Sequence, residues 1–299
     1  MVKGVIFAGG FGKRLRPITD SIPKTLIEIK RNYTILDKQL LDFKYSDIKE
    51  IFLLVGYKHT LIKKRYGSDW NGLKINYLVE KKPMGTLWAL RNLSKHVYDD
   101  LIVKNGDTVS DFNIMEMEKK SISSPFEIVI AVIRMKSPYA IVETENDRIK
   151  NLVEKPVLDI KINAGLYYIK KESLVYLNES YSGKEIEKTF FPRMVNLGLA
   201  GAYFEDVKWF PVDNFKDLEE LRKEYVGRKD TEFGYVKNGG EYYVKKGYFA
   251  RLGTKGTFIL LKGKGILENI GPVSTGDKIV IDKKTDYKAE ENSLILIEK

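Results

Sequence analysis

The sequence predicts an α/β core over residues 1–226 and a small all-β module over residues 227–299. Up to residue 225, apolar runs typical of strands alternate with segments whose apolar residues recur at helical spacing. This alternation is typical of a mixed, mostly parallel sheet that is covered by helices on both faces. From residue 227 onward the helical period is absent, and short apolar runs recur between glycine-containing turns, which indicates antiparallel β-structure.

Each element is predicted from its own local pattern. Strands are expected where apolar runs are bounded by turn residues, at 2–8, 51–55, 73–79, 101–104, 128–134, 149–153 and 165–170. Helices are expected where apolar residues recur every three or four positions, at 36–45, 61–65, 86–93, 174–177, 186–195 and 215–225. In the C-terminal module, strands are expected at 242–244, 257–261, 278–281 and 294–297.

The composition is that of a soluble globular protein, which we expect to be cytoplasmic. The 299 residues are 43% hydrophobic and 31% charged, and they include no cysteine. Disulfides, thiolate nucleophiles and cysteine-ligated zinc are therefore excluded. No apolar run approaches the roughly twenty residues that span a bilayer, and Met1 leads directly into a predicted strand, so we expect neither a membrane segment nor a secretory signal.

The net charge of +10 does not favour a nucleic-acid partner, because the charge is dispersed. Residues 227–299 carry 14 Lys or Arg and 10 Asp or Glu, and residues 1–226 carry 37 and 31. No block of five like charges occurs, and no basic stripe is interleaved with aromatic residues. We interpret this as a solvated, lysine-rich surface, whose field would also attract anionic substrates.

A glycine-rich segment follows the first predicted strand and indicates a polyphosphate site. Residues 9–19 read Gly-Gly-Phe-Gly-Lys-Arg-Leu-Arg-Pro-Ile-Thr, and Pro23 and Lys24 follow. Glycines let backbone N–H groups approach an anion without a Cβ in the way. Arg14 and Lys24 would add full positive charges at the phosphates.

This string resembles the signature of the sugar-phosphate nucleotidyltransferases. Within that family, residues 48–57 look most like the glucose-1-phosphate and mannose-1-phosphate enzymes. Residues 83–86, Pro-Met-Gly-Thr, resemble the family loop whose backbone contacts the nucleobase, and the resemblance extends over about residues 2–225. It implies a Rossmann-like core and transfer of a nucleotidyl group from a nucleoside triphosphate to a sugar 1-phosphate. It assigns catalytic roles to Arg14, Lys24 and Asp107, and it implies nucleotide binding by Ala8, Gly9, Gly10, Gly12, Lys13, Arg14, Pro83, Gly85, Thr86 and Gly106.

Two carboxylates are candidates for a Mg²⁺ site. Asp107 ends an Asn-Gly-Asp turn directly after a predicted strand, where ligands gather in open α/β sheets, and Mg²⁺ takes oxygen ligands. Residues 209–218 resemble the family segment that carries the second ligand, but Pro211 stands where many members carry an Asp. Asp213 stands where some members of the family carry Asp or Asn and others Gly, and the resemblance therefore implies that Asp213 is that ligand. Asp217 is expected to be a first-turn helix acid.

The resemblance also implies a sugar-phosphate site. Residues 154–156, Glu-Lys-Pro, resemble the motif whose Glu holds sugar hydroxyls and whose Lys holds the sugar phosphate. Residues 163–167, Asn-Ala-Gly-Leu-Tyr, resemble a segment that borders the sugar. The predicted sugar-phosphate residues are Tyr139, Ala140, Glu154, Lys155, Asn163 and Gly165.

Several alternatives stay open at this point. The triphosphate is UTP, dTTP or GTP, and the sugar is not determined. A cytidylyltransferase acting on a phosphorylated alcohol such as phosphocholine is a second hypothesis, although Glu154 and Asn163 favour a polyhydroxyl acceptor. An inactive regulatory homologue is a third, favoured by Pro211. The β-module weakly resembles half of a cupin barrel without the metal-binding histidines, since His59 and His96 lie upstream, and it is a candidate surface for homo-oligomers.

Overall fold

The computed structural model describes residues 1–253 and 255–298. The strands of the core are β1 (Lys3–Ala8), β2 (Glu28–Lys30), β3 (Tyr33–Thr34), β4 (Glu50–Val55), β5 (Asp69–Trp70), β6 (Leu73–Val79), β7 (Leu101–Asn105), β8 (Thr108–Ser110), β9 (Ile128–Lys136), β10 (Ile141–Glu145), β11 (Arg148–Val153), β12 (Val157–Ile169), β13 (Ala200–Phe204) and β14 (Trp209–Pro211). The α-helices are α1 (Ile18–Ser21), α2 (Ile35–Lys44), α3 (His59–Tyr66), α4 (Thr86–Leu93), α5 (Ile114–Ile122), α6 (Phe190–Asn196) and α7 (Phe215–Glu224). Turns of 3₁₀ helix occupy Lys13–Leu15, Lys24–Leu26, Lys171–Asn178 and Ile186–Lys188.

An eight-stranded sheet organises the core in the order β13-β9-β12-β7-β1-β4-β6-β5. The ladders of β1 with β4 and β7, of β4 with β6 and of β9 with β13 are parallel. Strand β12 runs antiparallel to both of its neighbours, and β5 is antiparallel to β6. The prediction of a mixed, mostly parallel sheet is confirmed.

Helices cover both faces of this sheet. Alternate residues of a strand point to opposite faces, so neighbouring residues of one strand pack against different helices. Ile6 packs with residues of α2, α3 and α5 on one face, and its neighbour Val5 packs with residues of α4 and α6 on the other. Both side chains are fully buried. The apolar run of β1 therefore reflects a central strand that is buried on both faces.

Three differences from the predicted elements have physical causes. The segment 186–195 forms a 3₁₀ turn and a separate helix α6, because Pro192 lacks an N–H and fits only the first turn of a helix. Helix α5 was not predicted, although Asn113 is an N-cap that accepts a hydrogen bond from the backbone of Glu116. Strand β10 was not predicted: it pairs with the predicted strand β11 in a hairpin whose residues are exposed, so neither apolar burial nor a clean alternation identifies β10.

The C-terminal module consists of two antiparallel sheets. Its strands are β15 (Arg228–Thr231), β16 (Gly234–Lys237), β17 (Glu241–Val244), β18 (Phe249–Arg251), β19 (Gly256–Lys262), β20 (Lys264–Leu267), β21 (Gly271–Ser274), β22 (Lys278–Ile281), β23 (Asp286–Ala289) and β24 (Ser293–Glu298). A six-stranded sheet, β15-β16-β17-β24-β19-β22, and a four-stranded sheet, β18-β23-β20-β21, share one apolar core centred on residues such as Phe258, Tyr287 and Ile295. The prediction of an all-β module is confirmed, and its cupin-like character stays a prediction.

The module is joined to the core by polar contacts. The Lys245 ammonium donates to the carbonyl of Phe112, and the side-chain amide of Asn113 donates to the carbonyl of Lys246. Arg228 makes a bidentate pair with Asp111 in the buried junction. None of the helices in residues 1–253 and 255–298 is long and apolar enough to cross a bilayer.

Candidate active site

A cavity of about 290 Å³ lies at the carboxyl ends of β1 and β7. These strands are neighbours, with Phe7 paired with Asn105, so the glycine loop after β1 and the turn after β7 meet at one edge of the sheet. The cavity is lined by Phe7, Ala8, Gly9, Gly10, Phe11, Lys24, Thr25, Leu54, Glu80, Pro83, Gly85, Thr86, Ala89, Asn105, Gly106, Asp107 and Glu187. Most of the residues predicted to bind the nucleotide therefore border one space.

Glycine is required at two positions beside this cavity. A Cβ on Gly106 would lie 2.0 Å from the carbonyl oxygen of Phe7, because the turn after β7 crosses β1 in direct contact. A Cβ on Gly85 would lie 2.5 Å from the carbonyl oxygen of Lys184, and Gly85 has a φ of +92°. Both contacts are with backbone, which cannot give way as a flexible side chain can.

Two carboxylates and two cations converge at the mouth of the cavity. Lys24 Nζ lies 3.0 Å from Asp107 Oδ2 and 3.3 Å from Asp213 Oδ1. Arg14 Nη2 lies 2.8 Å from the same oxygen of Asp213. The Lys24 side chain is 11% exposed, whereas those of Asp107 and Asp213 are 43% and 38% exposed. The two acids that are far apart in the sequence are therefore close neighbours in space.

A short ladder between β8 and β14 brings these acids together. Thr108 pairs with Pro211, and the backbone N–H of Val212 donates to the carbonyl oxygen of Asp107 at 2.9 Å. Pro211 thus occupies a position in this ladder, and the carboxylate of Asp213, two residues later, reaches Lys24. Asp217 caps helix α7 by accepting hydrogen bonds from the backbone N–H groups of Asp213 and Asn214, as expected for a first-turn acid.

The donor set fits a magnesium ion. The carboxylates of Asp107 and Asp213 both contact the Lys24 ammonium, so their oxygens can also reach one cation placed between them. Mg²⁺ prefers such hard oxygen ligands and is commonly held by one or two carboxylates together with phosphate oxygens. Within the described residues, no cluster of three or more His, Cys, Asp or Glu side chains is arranged to hold a metal. Two carboxylates that share the ion with a bound polyphosphate are consistent with that finding.

Sequence reasoning missed four polar residues of the cavity: Thr25, Asn105, Glu80 and Glu187. The Thr25 hydroxyl and Asn105 Oδ1 are buried without a hydrogen-bond partner among the described residues. Buried polar atoms of this kind are costly unless a ligand or water satisfies them. Thr25 and Asn105 adjoin Lys24 and Gly106 of the predicted motifs, and this adjacency is the signal that could have identified them.

Glu80 follows β6 and faces the cavity beside the loop that contains Pro83 and Gly85. Burial raises the pKa of its carboxyl, and hydrogen bonding by the backbone of Met84 partly offsets that effect. In the sequence it opens a Glu-Lys-Lys run, which is typical of a solvated turn. Only the tertiary structure reveals that this carboxylate lines the cavity.

The remaining predicted residues lie around this cavity in different places. Gly12 adopts a left-handed conformation at the start of the 3₁₀ turn that carries Lys13 and Arg14, and these three residues are outside the lining set. Glu154 and Lys155 sit at the end of β11 on the exposed hairpin, where their side chains pair at 3.4 Å. Tyr139 and Ala140 precede β10 on the same hairpin, and the Tyr139 side chain is exposed.

Asn163 belongs to a second, more open depression. This depression has a volume of about 370 Å³ and is lined by Ile130, Asn163, Glu187, Phe191, Pro192, Val195 and Asn196. Gly165 is buried against Asn105, since an added Cβ would lie 3.0 Å from Asn105 Nδ2. The structure thus brings Asn163 and Gly165 next to residues that line the first cavity and leaves the Glu-Lys-Pro motif on the hairpin.

The curated relatives include two kinds of guanylyltransferase. A D-glycero-alpha-D-manno-heptose 1-phosphate guanylyltransferase from Aneurinibacillus thermoaerophilus is 29% identical over 229 residues, which are 74% of this chain and 99% of that protein. A mannose-1-phosphate guanylyltransferase catalytic subunit beta from Danio rerio is 32% identical over 256 residues, or 79% and 70% of the two chains. The corresponding subunit from Xenopus tropicalis is 31% identical, and the match covers 62% of it, less than two thirds of its length.

Solved structures share the fold. A putative glucose-1-phosphate thymidylyltransferase from Bacillus anthracis superposes with a TM-score of 0.61 at 21% identity, covering 75% of this chain and 95% of that one. HddC from Yersinia pseudotuberculosis, complexed with GMP-PN, superposes with a TM-score of 0.59 at 22% identity, covering 75% and 100%. The family model described as nucleotidyl transferase matches residues 3–228. The chain therefore belongs to the nucleotidyl transferase family, which confirms the enzyme class indicated by its motifs.

Proposed function

We propose that this nucleotidyltransferase transfers the guanylyl group of GTP to a sugar 1-phosphate, with Mg²⁺, and releases a GDP-sugar and pyrophosphate. The observation that carries the proposal is the convergence of Lys24, Arg14, Asp107 and Asp213 at the mouth of a glycine-lined cavity. Such a set of charges suits a triphosphate and its cation. The curated relatives described above are named as guanylyltransferases, which supports GTP as the donor.

The reaction needs positioning more than acid–base chemistry. An oxygen of the sugar phosphate attacks the α-phosphorus of GTP, a new phosphorus–oxygen bond forms, and the bond to the β-phosphate breaks in line with it. A phosphate monoester is already a nucleophile at neutral pH, so no strong base is required. Lys24 neutralises charge that develops at the α-phosphate, Arg14 holds the β- and γ-phosphates, and Lys155 holds the acceptor phosphate.

Asp107 and Asp213 are the residues that would hold the magnesium ion. The ion would neutralise phosphate charge and orient the triphosphate. The ammonium of Lys24 now lies between both carboxylates, so it is positioned to pass from them to the α-phosphate when the nucleotide binds.

Glu80 supports the choice of guanine. A carboxylate only accepts hydrogen bonds, and it has two oxygens for neighbouring donors. Guanine presents adjacent N–H donors at N1 and N2, whereas uracil and thymine present a single N–H between two carbonyl oxygens that repel a carboxylate. Since Glu80 lines the cavity beside the loop predicted to contact the base, its carboxylate selects guanine.

A matrix of GTP, dTTP, UTP and CTP against mannose, glucose and heptose 1-phosphates and phosphocholine tests the proposal. We expect magnesium-dependent release of pyrophosphate with GTP and a sugar 1-phosphate, and its loss on chelation with EDTA. Turnover with CTP and phosphocholine alone would establish the cytidylyltransferase alternative. Absence of pyrophosphate in every pair would establish the inactive homologue. A cytoplasmic location, homo-oligomers and the division at residue 226 are part of the same proposal.

Glu80→Gln is expected to lower kcat/KM for GTP by roughly 5- to 150-fold, the 1–3 kcal/mol of a paired hydrogen-bond readout. The KM for the sugar phosphate should not change. Because burial raises the pKa of Glu80, the wild-type enzyme should begin to lose GTP affinity on acidification at a higher pH than an ordinary carboxyl would cause. The variant should lack that pH dependence. Unchanged preference among the four triphosphates would refute the role of Glu80.

A further inference from the structure

The side chain of Gln39 spans the turn that carries Asp107. Its amide nitrogen, Nε2, donates hydrogen bonds of 2.9 Å to two backbone carbonyl oxygens, those of Asn105 and Thr108. These two carbonyls flank Gly106 and Asp107, so a single amide group ties the two ends of the turn together. Gln39 is not among the residues that line the cavity, and it therefore acts on the site through this turn.

The rest of the turn is held by direct contacts with its neighbours. Gly106 lies against the carbonyl of Phe7, and the backbone N–H of Val212 donates to the carbonyl oxygen of Asp107 at 2.9 Å. The Asp107 side chain, in contrast, is partly exposed and contacts Lys24. The backbone of the turn is thus fixed while the carboxylate stays accessible to a cation, which is the arrangement that a precise metal ligand requires.

Helix α2, which carries Gln39, is itself anchored to β7. Asp42 accepts a hydrogen bond from Lys38 of the same helix and another, at 2.6 Å, from Lys104, the residue of β7 that precedes Asn105. All three charged side chains are buried. Although burial raises the pKa of Asp42, Lys104 and Lys38 hold that pKa below its ordinary value, so the carboxylate stays charged and the anchor persists at neutral pH.

Packing alone does not account for a polar side chain at position 39. Gln39 is fully buried, and its Oε1 atom has no hydrogen-bond partner among the described residues. A buried, unpaired amide oxygen costs stability. The neighbouring positions of α2 that face the core, Leu36 and Leu40, are apolar and fully buried. The two bonds from Nε2 to the turn therefore explain why this position carries an amide.

We propose that Gln39 is a positioning residue that sets the geometry of the turn at Asp107, so that Asp107 and Asp213 can share one divalent cation. This inference rests on the proposed magnesium site and deepens it. Without the amide, the turn keeps its contacts with Phe7 and Val212 but loses the tie between its two ends. The Asp107 carboxylate is then no longer held where it and Asp213 reach the same ion.

Gln39→Met tests the proposal, because methionine has a similar length and volume but no hydrogen-bond donor. We expect the Kd for Mn²⁺ in the absence of nucleotide to rise at least about tenfold, as it does when outer-shell partners of metal ligands are lost. Electron paramagnetic resonance of free Mn²⁺ measures this constant without any turnover. The Mg²⁺ concentration that gives half-maximal pyrophosphate release should rise by a similar factor, whereas the KM for the sugar 1-phosphate should not change.

Ser46→Ala is the matched control. Ser46 is buried just beyond the end of α2, and its hydroxyl contacts the carbonyl oxygens of Asp42 and Phe43 at 2.9 and 3.0 Å. This substitution also removes a buried side-chain donor from two backbone carbonyls, but these carbonyls do not belong to the turn at Asp107. We expect a lower thermal unfolding temperature with wild-type Mn²⁺ affinity and Mg²⁺ dependence.

A second variant, Gln39→Leu, separates the loss of the donor from any particular effect of methionine. Leucine suits the apolar surroundings that Leu36 and Leu40 share, and it also lacks a donor. It must weaken Mn²⁺ binding in the same direction as Gln39→Met. A role of Gln39 in stability alone would reduce the folded fraction, which thermal unfolding measures, and would leave the Mn²⁺ affinity of the folded protein unchanged.

The outcomes separate this inference from the proposed function. If the wild type binds Mn²⁺ and releases pyrophosphate with magnesium while both Gln39 variants keep its Mn²⁺ affinity, the positioning role is refuted and the nucleotidyl transfer stands. The role is also refuted if Ser46→Ala weakens Mn²⁺ binding as much as Gln39→Met does. If the wild type neither binds Mn²⁺ nor requires magnesium for turnover, the metal site and the role of Gln39 are refuted together.

Discussion

Lys24→Met is expected to lower kcat at least a hundredfold, about 2.7 kcal/mol of transition-state stabilisation. Methionine keeps most of the apolar stem of this nearly buried side chain and removes the charge that lies 3.0 Å from Asp107 and 3.3 Å from Asp213. The loss follows because no other group would neutralise charge at the α-phosphate in the same position. Single-turnover kinetics with saturating GTP and acceptor measure it directly.

A second readout on Lys24→Met does not depend on catalysis. In the proposed metal site the ammonium and a divalent cation would compete for the same two carboxylates, so removing the ammonium should tighten Mn²⁺ binding in the absence of nucleotide. Electron paramagnetic resonance of free Mn²⁺ measures that affinity. Lys63→Met, an exposed lysine of α3, should leave both kcat and Mn²⁺ binding unchanged. Wild-type turnover in Lys24→Met would show that the lysine has no catalytic role.

Arg228→Met is expected to destabilise the fold by about 3–5 kcal/mol, the cost of leaving a buried charge without its partner. Arg228 is 4% exposed, its guanidinium makes a bidentate pair with Asp111, and it also donates to Asp230 at 2.9 Å. The rings of Tyr225 and Tyr235 lie 4.6 and 4.0 Å from the guanidinium carbon. Urea unfolding of the full chain measures the free-energy difference.

The pH dependence of this effect has a definite sign. Burial pushes the pKa of Asp111 up, but Arg228 and Lys38 outweigh burial and hold that pKa well below its ordinary value. A depressed pKa contributes stability above the unfolded-state pKa of about 3.9, and this contribution is lost as the pH falls through the folded-state value. Without Arg228 the Asp111 carboxyl should resist ionisation, so the penalty of the variant should be largest near neutral pH and shrink below about pH 4.

Arg251→Met is the matched control for the buried pair. Arg251 also makes a two-pronged pair, with Asp286 at 2.7 Å on both arms, but its side chain is 70% exposed. An exposed pair of this kind contributes little to stability, because solvent and salt screen the two charges. Equal destabilisation by the two substitutions would contradict the assignment of the large effect to burial. A double variant, Arg228→Met with Asp111→Asn, should recover part of the loss.

The parts of the fold that can be predicted are those marked by a continuous apolar run, by flanking turn residues or by a short motif. Strands β1, β4 and β7 are buried on both faces, so their apolar runs are continuous and bounded by turn residues. The glycine loop and the Asn-Gly-Asp turn are short motifs whose residues act near one another in the sequence. Asp213 was expected from the resemblance of residues 209–218 to a family segment, despite Pro211.

The missed parts depend on tertiary structure. Glu80 and Glu187 sit in charged stretches that are ordinarily solvated, and no periodicity distinguishes them from their neighbours. Their position becomes evident only when the loops after β6 and before α6 meet over the sheet. Strand β10 lies in an exposed hairpin with the predicted strand β11, so the burial pattern that predicts strands elsewhere is absent at β10.

The short ladder between β8 and β14 has a consequence for biosynthesis. This ladder closes a loop of roughly a hundred residues. Contacts between residues so far apart in the sequence form late in folding, because the entropy of closing the loop must be lost before the contacts contribute any stability. A nascent chain that has exposed Arg14, Lys24 and Asp107 on the ribosome still lacks the fourth charged group until residue 213 emerges. If the proposed site is correct, more than two thirds of the chain must therefore be translated before the protein can bind a nucleotide productively.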